Sequence, residues 1–302
     1  MQSLITGIYA TTTKVVNMAS KVAIVEVGQD PKQAFKQALD LIGGIGDLNT
    51  KDRQVVVKVG VFDHRTSHHT TVDVASAIID SFDKAPKIFL AESDNYRGTG
   101  IERLQIWKKL FSNRVIPFNL SEDTDIRTVK IVDEKIGLSH ILFKPNTLVS
   151  THILRTYDKG SVIKNLFGLT PDKKKAKYHK KGVENVILDI YEAIEGIDLA
   201  VLDGTHVSLS ATPKAKQIKT NILVVGRDAV AVETVGFAIV GVNPENILLI
   251  QEAKKRGLGE GDLSKIEVVG YPIESAKARI VPLLKEAKKQ KTHAKKPKPF
   301  TH

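Results

Sequence analysis

The sequence predicts an α/β fold in which mostly parallel sheets are flanked by helices. Short apolar runs rich in β-branched residues alternate with helical patterns along most of the 302-residue chain, and this alternation is typical of parallel strands joined by helices. Ionisable residues directly follow several of these runs. Because parallel strands end at one edge of a sheet and ligands bind beyond that edge, the pattern also predicts a crevice at the carboxyl ends of the strands.

The strand candidates are short runs dominated by Val, Ile and Leu, such as KVAIVEV and VVVKVGV. Near-continuous apolar runs favour strands that are covered on both faces. Residues 115–118 and 128–132 are shorter additions. The main strand candidates are residues 21–27, 55–61, 87–91, 148–150, 199–202, 221–225 and 266–269.

Helical patterns separate these runs, and several carry end signals. Asp30 before Pro31 is a helix cap followed by a favoured first helical residue. Asp228 can cap the helix that begins AVAVETV, and Gly257 can close the helix that Asn243 opens. The helix candidates are residues 31–42, 72–82, 101–111, 183–194, 229–240, 244–255 and 274–288.

We expect two lobes, although an insertion within one continuous sheet fits the pattern equally well. Met18 immediately precedes the first strong strand signal and is a candidate for the true start of the chain, whereas the chain's end is rich in Lys and Pro. The expected segments are a disordered or mis-assigned N-terminal extension (1–20), an N-terminal α/β lobe (21–150), a C-terminal α/β lobe (151–284) and a basic disordered tail (285–302).

Composition excludes several kinds of site. The chain has no cysteine, which excludes disulfides, thiolate zinc sites, cysteine nucleophiles and cysteine-held iron–sulfur clusters. The sequence has no run of about 18 apolar residues that would indicate a membrane span. The first 17 residues also lack the continuous apolar stretch of a secretory signal. The expected location is cytoplasmic.

The net charge of +11 is concentrated in two segments. Residues 173–181 carry six lysines and no acidic residue, and residues 285–302 carry seven lysines and one glutamate. The rest of the chain is therefore nearly neutral. Such Lys-rich segments can make nonspecific phosphate contacts with nucleic acid, but they are more typical of a solvated loop and tail. The sequence does not indicate an oligomeric state.

Residues 151–181, THILRTYDKGSVIKNLFGLTPDKKKAKYHKK, are the richest in reactive side chains. His152 is a candidate acid–base group. Lys164 interrupts an apolar stretch, which favours an ammonium that binds an anion or, with its pKa lowered by burial, a nucleophile. Asn165 adds an amide, and Gly168 allows close backbone approach. His152 and Lys164 are the predicted catalytic residues.

Arginines after the second and third main strand candidates predict anion binding. Arg65 and Arg97 suit bidentate capture of a carboxylate or a phosphate. Asp203 follows the run LAVL, and Arg227 follows NILVV, so both are expected at the same edge of the sheet. The predicted substrate-binding residues are Arg65, Arg97, Asn165, Gly168 and Asp203.

The loop FDHRTSHHT is the best metal candidate outside residues 151–181. Imidazoles such as that of His64 favour zinc, nickel, copper or iron, and a carboxylate such as Asp63 can orient the ring or join the ligands. His179 is either a third ligand or a second base opposite His152. The spacing matches no specific zinc signature, and a polar loop with surface histidines is the alternative.

Three functional hypotheses follow. The first is an enzyme that uses His acid–base chemistry, with or without a divalent transition metal, on a small anionic ligand. Its reaction class is open between isomerisation, group transfer and hydrolysis. The second is a non-catalytic carrier of a metal or cofactor. The third is nucleic-acid binding through the Lys-rich segments.

The order of motifs resembles the domain-of-unknown-function 362 family. VVVK, THILRT, IKNLFGLTPDKKKAKYHK, LAVLDGTH and ILVVGRDAVAVETVGFAIVG occur in the family's sequence order over roughly residues 20–270. The resemblance implies a family without a defined general activity. Three positions depart from the family pattern. Lys58 is followed by Val59-Gly60 instead of Pro-Asn, Ala211-Thr212-Pro213 replaces Gly-Pro, and Glu233 stands where Asp is usual.

A more distant resemblance is to the nickel-pincer lactate racemase family, which also has a loop with Asp and Arg, then a histidine, a lysine and a histidine. The resemblance implies that Arg65 binds a substrate carboxylate and that His152 moves the proton. Lys164 would hold the pincer cofactor, and His179 would ligate nickel. The second racemase histidine, expected near Tyr96, is missing.

Overall fold

The protein is centred on one eight-stranded sheet with helices on both faces. The computed structural model describes residues 19–157, 160–209 and 217–293. Residues 1–18, which hold most of the expected N-terminal extension, and residues 294–302, the end of the expected tail, lie outside the described residues.

Ten strands form in the described residues, eight in the main sheet and two in a hairpin. The main sheet has the order β10-β1-β9-β8-β7-β2-β3-β4, and β5 pairs with β6. Of the eight main strands in the described chain, all but β9 run in one direction. The strands are β1 (Ser20–Glu26), β2 (Val55–Val59), β3 (Ile88–Glu92), β4 (Val115–Asn119), β5 (Ile126–Ile131), β6 (Glu134–Ser139), β7 (Thr147–Arg155), β8 (Leu199–Ser208), β9 (Gln217–Gly226) and β10 (Ile266–Gly270).

The predicted helices form, with bounds that shift by a few residues and with 3₁₀ turns in two of the predicted segments. Asp30 caps the first helix by accepting from the Lys32 amide at 2.9 Å, and Asp228 caps another by accepting from the amides of Val230 and Ala231. The α-helices are α1 (Pro31–Leu41), α2 (Val72–Ser81), α3 (Gly100–Leu104), α4 (Ala176–His179), α5 (Val183–Ala193), α6 (Ala229–Ile239), α7 (Leu248–Lys255) and α8 (Ile273–His293). The 3₁₀ turns are Gln105–Leu110, His140–Leu142, Lys164–Leu169, Pro244–Asn246 and Leu263–Lys265.

The sheet carries a hydrophobic core on each face. Successive strand residues point to opposite faces. In β2, Val55, Val57 and Val59 join the core covered by α1, α2 and α3, whereas Val56 joins the core covered by α5, α6 and α7. Burying a Val side chain stabilises the fold by about 1.5–3 kcal/mol. Lys58 points to the same face as Val56, and a charge there is costly unless it is paired.

The two expected lobes share one sheet. The expected division between residues 150 and 151 falls inside β7, which pairs with β2 on one side and β8 on the other. α8 continues to His293, so residues 285–293 are helical although the sequence suggested a disordered tail from residue 285. Among the described residues, no helix combines the length and the apolar character that crossing a membrane requires.

Three strand predictions were too short, and one strand was missed. β9 begins at Gln217 instead of residue 221. β7 and β8 continue through THILR and DGTHVS, which the sequence prediction treated as loops after the strands. Polar residues within a strand do not prevent pairing when backbone partners are available. β6 was missed because EKIGLS has few β-branched residues, and it forms by pairing with β5 across a tight turn.

Candidate functional site

A cavity of about 580 Å³ lies at the carboxyl ends of β2, β3 and β7. Its walls come from these strand ends, from the loops that follow β2 and β3, and from the segment between β7 and α5. Seven of its lining residues are Lys or Arg, and two are Asp or Glu. The lining residues are Lys58, Val61, Phe62, Asp63, Thr66, His68, Glu92, Asn95, Tyr96, Arg103, His152, Arg155, Tyr157, Lys164, Asn165, Phe167, Gly168, Lys173, Lys174, Lys175, Ala176 and His179.

Three buried ionisable side chains meet in the cavity wall. Lys58 is 1 % exposed, and its Nζ lies 2.9 Å from Glu92 Oε2. The other carboxylate oxygen, Oε1, lies 2.9 Å from an Arg103 nitrogen. Burial lowers the pKa of Lys58, and the Glu92 carboxylate opposes that shift. One carboxylate therefore contacts both basic side chains in the cluster of Lys58, Glu92 and Arg103.

Asn165 connects the cluster to β2 and β7 through side-chain hydrogen bonds. Its Oδ1 accepts from Lys58 Nζ at 3.0 Å, while its Nδ2 donates to the Lys58 carbonyl oxygen at 2.8 Å and to the Thr151 carbonyl oxygen at 3.1 Å. Gly168 passes close above the same charges. A Cβ added at Gly168 would lie 3.0 Å from both Glu92 Oε1 and Lys58 Nζ. The glycine therefore allows the chain to close over the ion pair.

His152 is buried in β7, with 4 % of its surface exposed. Arg155 Nη2 contacts its Nε2, and its Nδ1 lies 3.3 Å from the Ile153 carbonyl oxygen. A guanidinium only donates, so Nε2 accepts from Arg155 and Nδ1 carries the proton. Burial first, and then neighbouring cations led by Arg155, hold the pKa of His152 well below its usual value. The imidazole is therefore neutral near pH 7.

The strand next to His152 leaves room for its ring. A Cβ added at Gly60 would lie 2.1 Å from His152 Cδ2, so Gly60 is needed where the imidazole crosses β2's end. Gly60 is also one of the positions at which the sequence departs from the family pattern described above. The departure thus has a structural role in this chain.

Glu233 of α6 anchors the segment that follows β7. Its two carboxylate oxygens accept from the amides of Ser161 at 2.7 Å and Ile163 at 3.1 Å. Burial raises the pKa of Glu233 to about 7, although these backbone hydrogen bonds oppose the shift. Glu233 does not line the cavity, and it instead holds the backbone that carries Lys164 and Asn165.

The Lys-rich segment of residues 173–181 forms part of the cavity wall. Lys173, Lys174 and Lys175 all line the cavity. Lys175 Nζ donates to Ser93 Oγ at 3.0 Å and to the Asp172 carbonyl oxygen at 2.8 Å. Burial lowers the pKa of Lys175 to about 8. Part of the positive charge of residues 173–181 therefore faces the cavity.

The structure brings six of the ten predicted site residues to the cavity lining. His152, Lys164, Asn165, Gly168, Asp63 and His179 line it.

Of the four others, Arg65 and Arg97 pair with Asp63 and do not line the cavity. Arg65 Nε lies 2.8 Å from Asp63 Oδ1, and Arg97 Nε lies 3.7 Å from Asp63 Oδ2. Asp203 is fully buried within β8, where its Oδ2 accepts from the Thr71 amide and hydroxyl at 2.7 Å each. Its observed role is to join β8 to the start of α2. His64 does not line the cavity either.

The predicted metal ligands do not form a three-residue centre. The Asp63 carboxylate binds Arg65, and the His179 ring packs edge-on against Phe167 with 5.6 Å between ring centroids. His64 lies outside the cavity lining. Within the described residues, no group of three His, Asp or Glu side chains is placed so that it could hold a metal ion. These side chains therefore do not fit such a metal centre.

Arg227 and Asp228 lie at the opposite edge of the sheet from the cavity. They follow β9, which runs antiparallel to both of its neighbours. Arg227 binds the Asp47 carboxylate at 2.9 and 3.0 Å. The sequence expectation was wrong for Arg227, because the apolar run NILVV does not reveal the strand's direction.

Sequence reasoning missed the role of three cavity residues. Lys58 had a usable signal, because it is the one charged residue in the run VVVKVGV. Arg103 had none, since an Arg in a short helix such as GIERL is ordinarily solvated. Arg155 had a weak signal, because it lies three residues after His152 in the run THILRT, and in the structure it contacts His152 directly.

Comparison with known proteins agrees with the order of motifs. The family model described as Domain of unknown function (DUF362) matches residues 55–238. That span is more than half of the chain, and it contains every described residue that lines the cavity. A search of curated proteins found no match. The chain belongs to the family of the domain of unknown function DUF362.

Proposed function

We propose that the cavity binds a small anion, a carboxylate or a phosphate, and that His152 transfers a proton to or from this ligand. The observation that carries the proposal is the charge of the lining, seven Lys or Arg residues against two carboxylates. Asp63 already pairs with Arg65. Glu92 already pairs with Lys58. Cationic side chains therefore outnumber anionic ones in the lining, which favours an anionic ligand.

Arg155 is well placed to bind that anion. Its Nε is buried and has no hydrogen-bond partner among the described residues. An unsatisfied buried donor costs about 1–3 kcal/mol, and burial also lowers the pKa of Arg155. A carboxylate or phosphate can accept two parallel N–H groups from one guanidinium. An anion at Arg155 would therefore satisfy the donor and compensate the buried charge.

Ligand binding would make His152 available as a base. Without a ligand, Arg155 occupies the Nε2 lone pair of His152. An anion that draws the guanidinium away would release this lone pair, and its negative charge would favour the imidazolium. Lys164 lies in the same lining and would help to hold the anion. Isomerisation, group transfer and hydrolysis share a proton transfer of this kind.

Calorimetric titration with phosphate and with acetate, at constant ionic strength, tests the binding step. The variants Arg155→Met and Lys164→Met should each weaken binding about tenfold or more, because hydrogen bonds to charged groups contribute about 1.5–3 kcal/mol. Lys130→Met is the matched control, since Lys130 is exposed on β5 and does not line the cavity. If neither anion binds to the wild-type protein, or if all three variants bind alike, the proposal is wrong.

The ¹⁵N spectrum of the His152 ring tests the second step. Saturating phosphate should change the Nε2 signal of His152 as the hydrogen bond from Arg155 is lost. The variant Arg155→Met should show a comparable change without any anion. If the Nε2 signal stays the same at saturating phosphate, the anion does not release His152 from its hydrogen bond with Arg155, and the second step is wrong.

A further inference from the structure

Two exposed aromatic rings lie side by side in the cavity wall. Phe62 is 40 % exposed and Tyr96 is 65 % exposed, and both line the cavity. Their ring centroids lie 5.4 Å apart with the planes at 73°. Among the described residues, no other Phe, Tyr or Trp side chain is exposed. Such exposure of two adjacent rings in a cavity is typical of a binding surface.

Hydrogen bonds to backbone carbonyls hold the two loops that carry these rings. Asn95 Nδ2 donates to the Phe62 carbonyl oxygen at 3.0 Å, which ties the loop after β2 to the loop after β3. The Asn95 amide donates to the Gly98 carbonyl oxygen at 3.0 Å, which closes the turn that presents Tyr96. The Arg97 guanidinium lies 4.9 Å from the centroid of the Tyr96 ring. The loops that carry the rings are therefore positioned in advance, which lowers the cost of binding.

The cavity is also larger than a simple anion requires. Its volume of about 580 Å³ lies within the range of about 300–1,000 Å³ that is usual for organic ligands. Inorganic phosphate or acetate would fill a small part of it. The cations Arg155 and Lys164 account for the anionic group, and the aromatic part of the lining is left for the rest of the ligand.

We infer that the ligand is an anion joined to a planar aromatic or heteroaromatic ring. The anionic group lies among Arg155 and the lining lysines, and the ring packs against Phe62 and Tyr96. This inference rests on the proposed function, because it assigns the second half of a ligand whose first half is the anion. It restricts the substrate class to aryl or heteroaryl phosphates and carboxylates.

Paired titrations separate the inference from the proposed function. Methyl phosphate and phenyl phosphate carry the same anionic group, and acetate and benzoate form the corresponding pair of carboxylates. The aryl member should bind the wild-type protein about fivefold or more tightly than its partner, since ring stacking contributes at least that factor in comparable sites. The pair with the greater affinity identifies the anionic group that the cavity accepts.

Variants locate the ring. Tyr96→Ser and Phe62→Ser should remove the preference for phenyl phosphate while leaving the affinity for methyl phosphate within about twofold. Leu248→Ser is the matched control, because Leu248 is 53 % exposed and lies outside the cavity lining. Equal binding of the methyl and phenyl compounds to wild type, or a preference that survives both ring variants, overturns the inference and leaves anion binding intact. Absence of binding by all four compounds overturns the proposed function as well.

Discussion

Two glycines leave the space that the buried polar side chains of the site occupy. Gly60 leaves room for the imidazole of His152, and Gly168 approaches the pair formed by Lys58 and Glu92. The sequence showed the histidine and Gly168 as candidates. It could not show that Gly60 faces His152, because β2 and β7 are distant in sequence and become neighbours only in the sheet.

The replacement Gly60→Ala should displace His152. Its Cβ would lie 2.1 Å from the ring, and overpacking of this kind costs about 1–3 kcal/mol. Urea unfolding measures the loss in the free energy of unfolding. Gly46→Ala is the matched control, because a Cβ there has no atom within 4 Å. Equal stability of the two variants would show that His152 does not need the space at Gly60.

The affinity for an anion should depend on pH through His152. In the ligand-free protein the pKa of His152 lies well below 6.5, and a bound anion would raise it. At a pH between these two pKa values, His152 is protonated in the complex and neutral in the free protein. Binding therefore strengthens as the pH falls through that window, by at most about tenfold per pH unit.

Sulfate titrations at and below pH 7 measure this dependence, because sulfate keeps its charge and Lys175, whose pKa is about 8, stays largely protonated there. The variant His152→Gln should show a flatter profile. An unchanged pH dependence in this variant would assign the titration to another group.

At the scale of elements, one carboxylate connects two strands and a helix. Glu92 ends β3, Lys58 lies in β2 and Arg103 lies in α3. The sequence predicted the strands well, since their apolar runs are long and β-branched. It did not predict the ion cluster, because pairing across elements depends on contacts that no local pattern contains. The same limitation placed Arg227 at the wrong edge, since strand direction follows from the order of strands in the sheet.

Loss of Glu92 should destabilise the protein more than loss of Lys58. Glu92→Gln leaves two buried cations uncompensated, which costs about 3–5 kcal/mol for a broken buried pair. Lys58→Met leaves Glu92 paired with Arg103 and costs mainly the hydrogen bond to Asn165, about 1–3 kcal/mol. Denaturant unfolding of both variants shows which one loses more of the free energy of unfolding. A larger loss for Lys58→Met would contradict the sharing of one carboxylate by two cations.

At the scale of the whole molecule, the continuous sheet places polar groups from distant segments around one cavity. The positions of the main strands were predictable from the sequence, and so was the concentration of charge in residues 173–181, but the ends of β7 and β8 were not. The division into two lobes was not a reliable guide to the site. His152 and Arg155 lie inside β7, which spans the expected boundary and is central to the sheet.

The stability of the whole chain should fall as the pH rises through about 7 because of Glu233. Its pKa is raised from 4.5 to about 7 in the folded protein, so the folded state holds a proton that the unfolded state has released. Protonation of Glu233 therefore adds to the free energy of unfolding. This stabilisation is fully present below about pH 4.5 and is lost as the pH rises through about 7, and it amounts to on the order of 3 kcal/mol. His152, with its lowered pKa, acts in the opposite direction as the pH falls below 6.5.

Unfolding of wild type and Glu233→Gln at pH 5 and pH 8 separates the two contributions. The variant should lose less stability than the wild type between these values, whatever its absolute stability. Identical losses would show that Glu233 is ionised in the folded protein throughout this range.

A crystal structure of the protein at saturating phosphate tests the central claim most directly. The account predicts phosphate in the cavity, hydrogen-bonded to Arg155, with the guanidinium withdrawn from His152 Nε2. Phosphate bound only outside the cavity, with Arg155 still donating to His152, would contradict it.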